Sequence, residues 1–165
     1  MYYSNEKLEL IKMKITFLFV GKTKDSWIKE GENEFLKRLQ KFAQIEVKIV
    51  DELGKSDENK IKKEEGGNIL KNIKNEEFLC LLDVKGKHLS SEELAKNIEL
   101  WKDTKGGKII FVVGGAYGVS EEVVKRADFL LSFSKMTLTH QMIRLFLMEQ
   151  TYRAFSILGG SKYHK

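Results

Sequence analysis

The chain has 165 residues, with 29 Lys/Arg against 24 Asp/Glu for a formal net charge of +5, one cysteine, three histidines and no proline. That length suits one domain, able to bury roughly two-thirds of the surface its unfolded form would expose. A single cysteine excludes an intramolecular disulfide, no apolar stretch reaches the ~20 residues of a membrane helix, and charges fill the N-terminus where a signal peptide would be apolar, so the chain reads as soluble and cytoplasmic.

Residues 1–12 balance two acids with two lysines and show weak apolar patterning, which reads as a poorly ordered extension or an upstream start ahead of one domain over 13–165. From there, apolar runs of strand length alternate with helical patterns. Strands are expected at Lys14–Val20, Ile45–Val50, Phe78–Asp83, Lys108–Val113 and Phe129–Phe133. Between them, Ser26–Phe42 carries Ile28, Phe35, Leu39 and Phe42 at helical spacing, and Asp57–Lys74 carries Ile61, Ile69 and Ile73 on one face. Ser90-Ser91-Glu92-Glu93 spells a capping box ahead of the stripe Leu94, Ile98 and Trp101, and Ser120 is placed to cap a short fourth helix. This order predicts an α/β fold: a mostly parallel sheet with helices on both faces. Cys80 falls inside an apolar run and reads as a buried thiol.

A fifth helix, about Thr139 to Leu158, is apolar on nearly every side from Met142 to Met148 apart from Arg144. Such a helix must be buried all round, and in so small a domain a homodimer interface is the economical way to cover it. The charge is also concentrated here. Ser134 to Lys165 holds five Lys/Arg against one carboxylate, net +4 of the chain's +5, interleaved with Tyr152, Phe155 and Tyr163. By contrast, Asp51 to Glu77 holds eight carboxylates against six lysines. Cations beside stackable rings suit a phosphate backbone with exposed bases; the same composition also describes a solvated basic surface beside core aromatics.

The segment Gly114-Gly115-Ala116-Tyr117-Gly118 follows the fourth strand, where open α/β sheets bind ligands. It is neither a dinucleotide fingerprint nor a phosphate loop. His88, His140 and His164 lie far apart with no partner at ligand spacing, so no metal is expected, and no nucleophile elbow is present. What remains is three loops at strand ends: Asp83–Lys87, Gly114–Gly118 and Ser134–Thr139.

Phe111-Val112-Val113-Gly114-Gly115-Ala116-Tyr117-Gly118, then Leu131-Ser132-Phe133-Ser134-Lys135-Met136-Thr137, His140-Gln141-Met142-Ile143-Arg144, Glu149-Gln150-x-Tyr152-Arg153-Ala154-Phe155 and the terminal Tyr163-His164-Lys165 together resemble the ribosomal RNA large subunit methyltransferase H family. The resemblance runs from Met13 to the last residue. It implies a SPOUT-type sheet whose C-terminal segment forms a trefoil knot, a homodimer built around that knot, and transfer of a methyl group from S-adenosylmethionine to N3 of a pseudouridine in 23S ribosomal RNA, in assembled ribosomes. It maps cofactor contacts onto Leu82, Gly114, Phe133, Ser134, Lys135, Met136, Thr137 and Leu138. Family members often have proline where Thr139 and Lys162 stand here, a difference of loop stiffness more than of chemistry.

Within that reading the N3 proton must leave, which a neutral imidazole or a nearby cation favours. His140 is the candidate base or orienting group, and Arg144 the candidate for stabilising the developing anion. Tyr152, Arg153, Tyr163, His164 and Lys165 are candidates for gripping and stacking RNA, some of them across the dimer. Structural alternatives stand beside each: His140 capping its helix, Arg144 paired with Glu149, Tyr152 in the core. Two rival functions are a catalytically silent RNA- or ribosome-binding module on the same fold, and an α/β enzyme acting on a small metabolite, which leaves the basic C-terminus idle.

Overall fold

A computed structural model describes residues 13–164; the extension at 1–12 and the candidate RNA contact Lys165 lie outside the described residues. Strands β1 (Lys14–Val20), β2 (Gln44–Val50), β3 (Phe78–His88), β4 (Lys108–Val113) and β5 (Phe129–Ser132) form one sheet in the order β2-β1-β4-β3-β5. Every neighbouring pair is parallel. Continuous apolar runs make strands here because both faces are covered: in β1, Phe17 and Phe19 face one layer while Leu18 and Val20 face the other.

Five helices, α1 (Ser26–Leu39), α2 (Glu58–Lys71), α3 (Ser91–Thr104), α4 (Glu121–Arg126) and α5 (Met142–Leu158), supply the two layers. On one face Leu94, Ile98 and Trp101 of α3 and Leu147, Met148 and Phe155 of α5 pack on the sheet with Leu39 of α1. On the other, Ile69 of α2 and Val123 of α4 cover Ile110 and Val112. The capping box at α3 closes in both directions, Glu93 N to Ser90 Oγ at 3.1 Å and Ser90 N to Glu93 Oε2 at 2.7 Å. Ser120 does precede α4, but its hydroxyl makes no capping bond.

Four boundaries differ from the sequence reading by three residues or more. β3 runs on to His88 rather than ending at Asp83: it pairs Leu82 with Leu131, bulges, and pairs Lys87 with Leu131 again. Polar residues 83–88 hide this extension, which rests on Gly86. A Cβ there would lie 2.6 Å from the carbonyl carbon of Leu131 and 2.7 Å from that of Leu130. α1 and α2 each end three residues early, at Leu39 and Lys71, because the chain turns there toward β2 and β3. α5 begins at Met142 rather than Thr139: residues 140–141 form a turn ahead of the helix, and the Met142 N–H donates to the Thr139 hydroxyl at 3.1 Å. The α5 face is also less uniformly buried than its composition implies. Phe146 is 44 % exposed, Met142, Ile143 and Leu145 are half-buried, and the one charged residue, Arg144, is fully buried.

Candidate functional site

Because all five strands run the same way, their C-terminal ends share one edge of the sheet, and a cavity of about 600 Å³ opens there. Leu82 and Asp83 from β3, Gly114 after β4, and Phe133, Ser134, Met136, Thr137 and Leu138 after β5 all line it. Three loops separated in sequence therefore meet as the reading required, although Lys135 does not reach the wall. Gly118 N donates to Gly115 O at 3.1 Å, with Gly118 at φ +86, a conformation that favours glycine. Gly114 is needed for close approach: a Cβ there would sit 2.6 Å from the Val119 side chain and 3.2 Å from Gly118 O.

His140 also lines the cavity. Burial holds its pKa below the ordinary histidine value, reinforced by the charges of Arg144 and Lys24 and opposed by Glu52. Burial thus favours the neutral ring, the form a proton acceptor needs.

Arg144 is elsewhere. It is fully buried and does not line the cavity. Its Nη2 donates to Val20 O at 2.6 Å, its Nη1 to Gly21 O at 2.9 Å and to Thr23 Oγ1 at 3.2 Å, and its guanidinium lies 4.9 Å from the Phe19 ring centroid. Direct contact with a developing anion is thus replaced by contact with the end of β1. The alternative partner, Glu149, is taken by Arg153 instead, Nη2 to Oε1 at 2.6 Å. Thr23 in turn donates to the Glu32 carboxylate at 2.9 Å, whose pKa burial raises above the usual range against the lowering effect of that hydrogen bond.

The C-terminal candidates form a separate cluster. Tyr163 packs edge-on against Tyr152 at 4.7 Å between centroids, Arg153 lies 4.8 Å from the Tyr163 ring, and the Tyr163 hydroxyl reaches Glu149 Oε1 at 3.2 Å. Tyr152 also packs against Phe35 and Phe42, so one of its edges does belong to the core layer. His164 Nε2 lies 2.7 Å from Glu92 Oε1, and Glu92 is held down at about 2, first by its own backbone N–H and then by His164. None of these residues lines the cavity. A second hollow of about 290 Å³, bounded by Ser91, Phe146 and Gln150, shares the wall residues Leu131 and Phe133 with the first and lies on the tail's side.

Asp25 and Gln141 line the cavity but escape a reading based on the three loops. Asp25 follows the C-terminal end of β1, the same kind of position as the other three loops. Gln141 Oε1 accepts from Lys24 N at 2.9 Å and Asp25 N at 3.2 Å, a pairing 117 residues apart that no local pattern announces. Among the described residues no group of His, Cys, Asp and Glu is placed to hold a metal, and no helix is long and apolar enough to cross a membrane.

Comparison with known proteins gives this arrangement a context. A family model described as a predicted SPOUT methyltransferase matches residues 13–164. The chain is 45 % identical over 153 residues to the "Ribosomal RNA large subunit methyltransferase H" of Desulfotalea psychrophila, covering 93 % of this chain and all of that one. It is 46 % identical over 159 residues to the protein of the same name from Carboxydothermus hydrogenoformans, with the same coverage. Among solved structures, a probable methyltransferase from Bordetella pertussis shares the fold at a TM-score of 0.57 and 9 % identity, covering 92 % of this chain and 99 % of that one. A probable methylase family protein from Haemophilus influenzae does so at 0.55 and 14 %, covering 94 % and 71 %. With a family model matching residues 13–164 and relatives this similar along their whole length, the chain belongs to the SPOUT methyltransferases and, within them, to the ribosomal RNA large subunit methyltransferase H family.

Proposed function

We propose that this chain methylates large-subunit ribosomal RNA from S-adenosylmethionine, at N3 of the pseudouridine numbered 1915 in 23S RNA. The observation that supports it best is the convergence of Leu82, Gly114 and residues 133–138 on one cavity beside a histidine whose burial favours the neutral ring. The cavity suits an adenosyl group on three counts. It is large enough for a nucleoside, Leu82, Phe133 and Leu138 give it apolar walls, and residues 134–138 make no backbone–backbone hydrogen bond among the described residues; the Ser134 carbonyl accepts from Ser132 Oγ and the Met136 N–H donates to Ser134 Oγ, which leaves the backbone groups of Lys135, Thr137 and Leu138 to read a base edge.

When bound, S-adenosylmethionine supplies a methyl group on a sulfonium. The chain's own part is to hold the acceptor base in line at near-attack distance, exclude water, and receive the N3 proton, for which His140 is the group in place. The tail cluster lies outside its own subunit's cavity, so it serves RNA by standing over a partner's. The half-buried α5 face with Phe146 is where a second copy docks, and the knotted C-terminal segment goes with that arrangement.

Radiolabelled S-adenosylmethionine, offered with deproteinised RNA or with whole ribosomes, tests the reading. Label should enter the large-subunit RNA of ribosomes. No cofactor binding and no label in any RNA would return the chain to an RNA-binding module on the same fold.

A further inference from the structure

We propose that Asp25, His140 and Gln141 form the substrate-side wall of the cavity, and that Arg144 and Gln141 are positioning residues fastening the loop at 21–25, which carries Asp25, to the start of α5. The inference rests on the methyl-transfer reading above and extends it to a part of the chain that reading leaves idle.

Arg144 makes no ion pair among the described residues; its guanidinium is satisfied by two carbonyls, a hydroxyl and a ring face, while Nε stays buried without a partner. Burying a cation this way is unfavourable compared with an apolar side chain of similar size. What an apolar side chain lacks is a rigid fork that grips several acceptors at once, here Val20 O, Gly21 O and Thr23 Oγ1 where β1 gives way to the loop.

Gln141 grips the same loop further along. It accepts the backbone N–H groups of Lys24 and Asp25, just ahead of α1, whose N-cap residue Asp25 makes no side-chain cap of its own. The two ties stand three residues apart and so leave α5 on one side. Between them the loop is held from Gly21 to Asp25. Asp25, His140 and Gln141 then form a stretch of cavity wall distinct from the loops assigned to the cofactor. The surface beyond has groups that could meet RNA: Lys24 is exposed, although its ammonium pairs with Glu52 at 3.1 Å, and Trp27, the second residue of α1, is 57 % exposed.

The test uses Gln141→Ala, Gln141→Glu and Arg144→Lys in the full chain, with calorimetry for S-adenosylmethionine and steady-state methylation of whichever RNA substrate the wild type accepts. Folded Gln141→Ala should lose about tenfold or more in kcat while cofactor affinity stays within about twofold, because a misplaced wall affects alignment rather than cofactor binding. Gln141→Glu keeps an acceptor oxygen at the N-terminal end of α1, where negative charge is favourable, and should recover most of that loss. Arg144→Lys keeps the charge without the fork and should resemble Gln141→Ala; if it does not fold, the Gln141 pair decides alone. Unchanged kcat in Gln141→Ala, a parallel loss of cofactor affinity, or no recovery in Gln141→Glu would each overturn the proposal. A wild type that binds no S-adenosylmethionine overturns the methyl-transfer reading instead, so the two failures are distinguishable.

Discussion

Arg153→Ala separates two jobs open to one cation at the C-terminus: holding the tail and holding RNA. Its side chain is only a quarter exposed, Nη2 and Nε reach Glu149 Oε1 at 2.6 and 3.0 Å, and the Tyr163 ring lies 4.8 Å away. A partly exposed ion pair of good geometry contributes about 1 kcal/mol and a cation–π contact about 0.5–1 kcal/mol. Truncation should therefore weaken tail docking by roughly 1.5–2 kcal/mol, about ten- to thirtyfold in the docked ratio. Since these contacts are local to α5 and the tail, that loss should appear as faster amide exchange at 161–164 rather than as global unfolding. Methylation should fall about tenfold or more with cofactor affinity nearly unchanged. The salt dependence of RNA binding adds a second readout. A free arginine on a phosphate would lower the slope by about 1 when removed, whereas one already paired with Glu149 changes it by less. Full turnover in Arg153→Ala, or a loss of cofactor affinity in step with turnover, would refute a tail that serves RNA.

Gly114→Val places its Cβ 2.6 Å from the Val119 side chain and adds bulk on the cavity wall; calorimetry should show at least a tenfold loss of S-adenosylmethionine affinity, about 1.4 kcal/mol, in a protein that still folds. Gly86→Ala drives a methyl against the Leu130–Leu131 backbone, which unlike a side chain cannot swing away, so chemical denaturation should show a loss of several kcal/mol or no folded protein at all. His140 has a folded pKa below its unfolded value, so the unfolded chain binds the proton more readily. Its contribution to stability is present above about 6.5 and is lost as pH falls through the window beneath it, and turnover should decline with protonation of the folded ring. His140→Gln should remove that acid limb from the pH–rate profile; an identical limb in the variant would take the base role away from His140.

Much of this was legible in the chain because strand and helix signals were strong. The strands Lys14–Val20 and Lys108–Val113 have the bounds their apolar runs predict, since runs apolar on both faces leave few alternatives. The Gly114 and Ser134–Thr139 loops were legible as strand ends. Arg144 was not. A charge in an apolar helix reads as a surface or a reacting group, and only the carbonyls of Val20 and Gly21, more than 120 residues away in sequence, show that it is a structural tie. The same holds for the β3 extension, whose polar residues 83–88 carry no strand signal until β5 is beside them. In the tail, Glu149 and Arg153 stand four apart on one helix face, so their pairing was available from spacing alone, whereas the return of Tyr163 onto Tyr152 depends on the turn at Gly159–Gly160.

The most direct test of the central claim is mass-spectrometric mapping of large-subunit RNA from ribosomes that lack this modification, before and after incubation with the protein and S-adenosylmethionine. A single new methyl group on a pseudouridine base, at N3, is the predicted result. Methylation of a different nucleotide, methylation at ribose, or no mass change with a protein shown to bind the cofactor would contradict it.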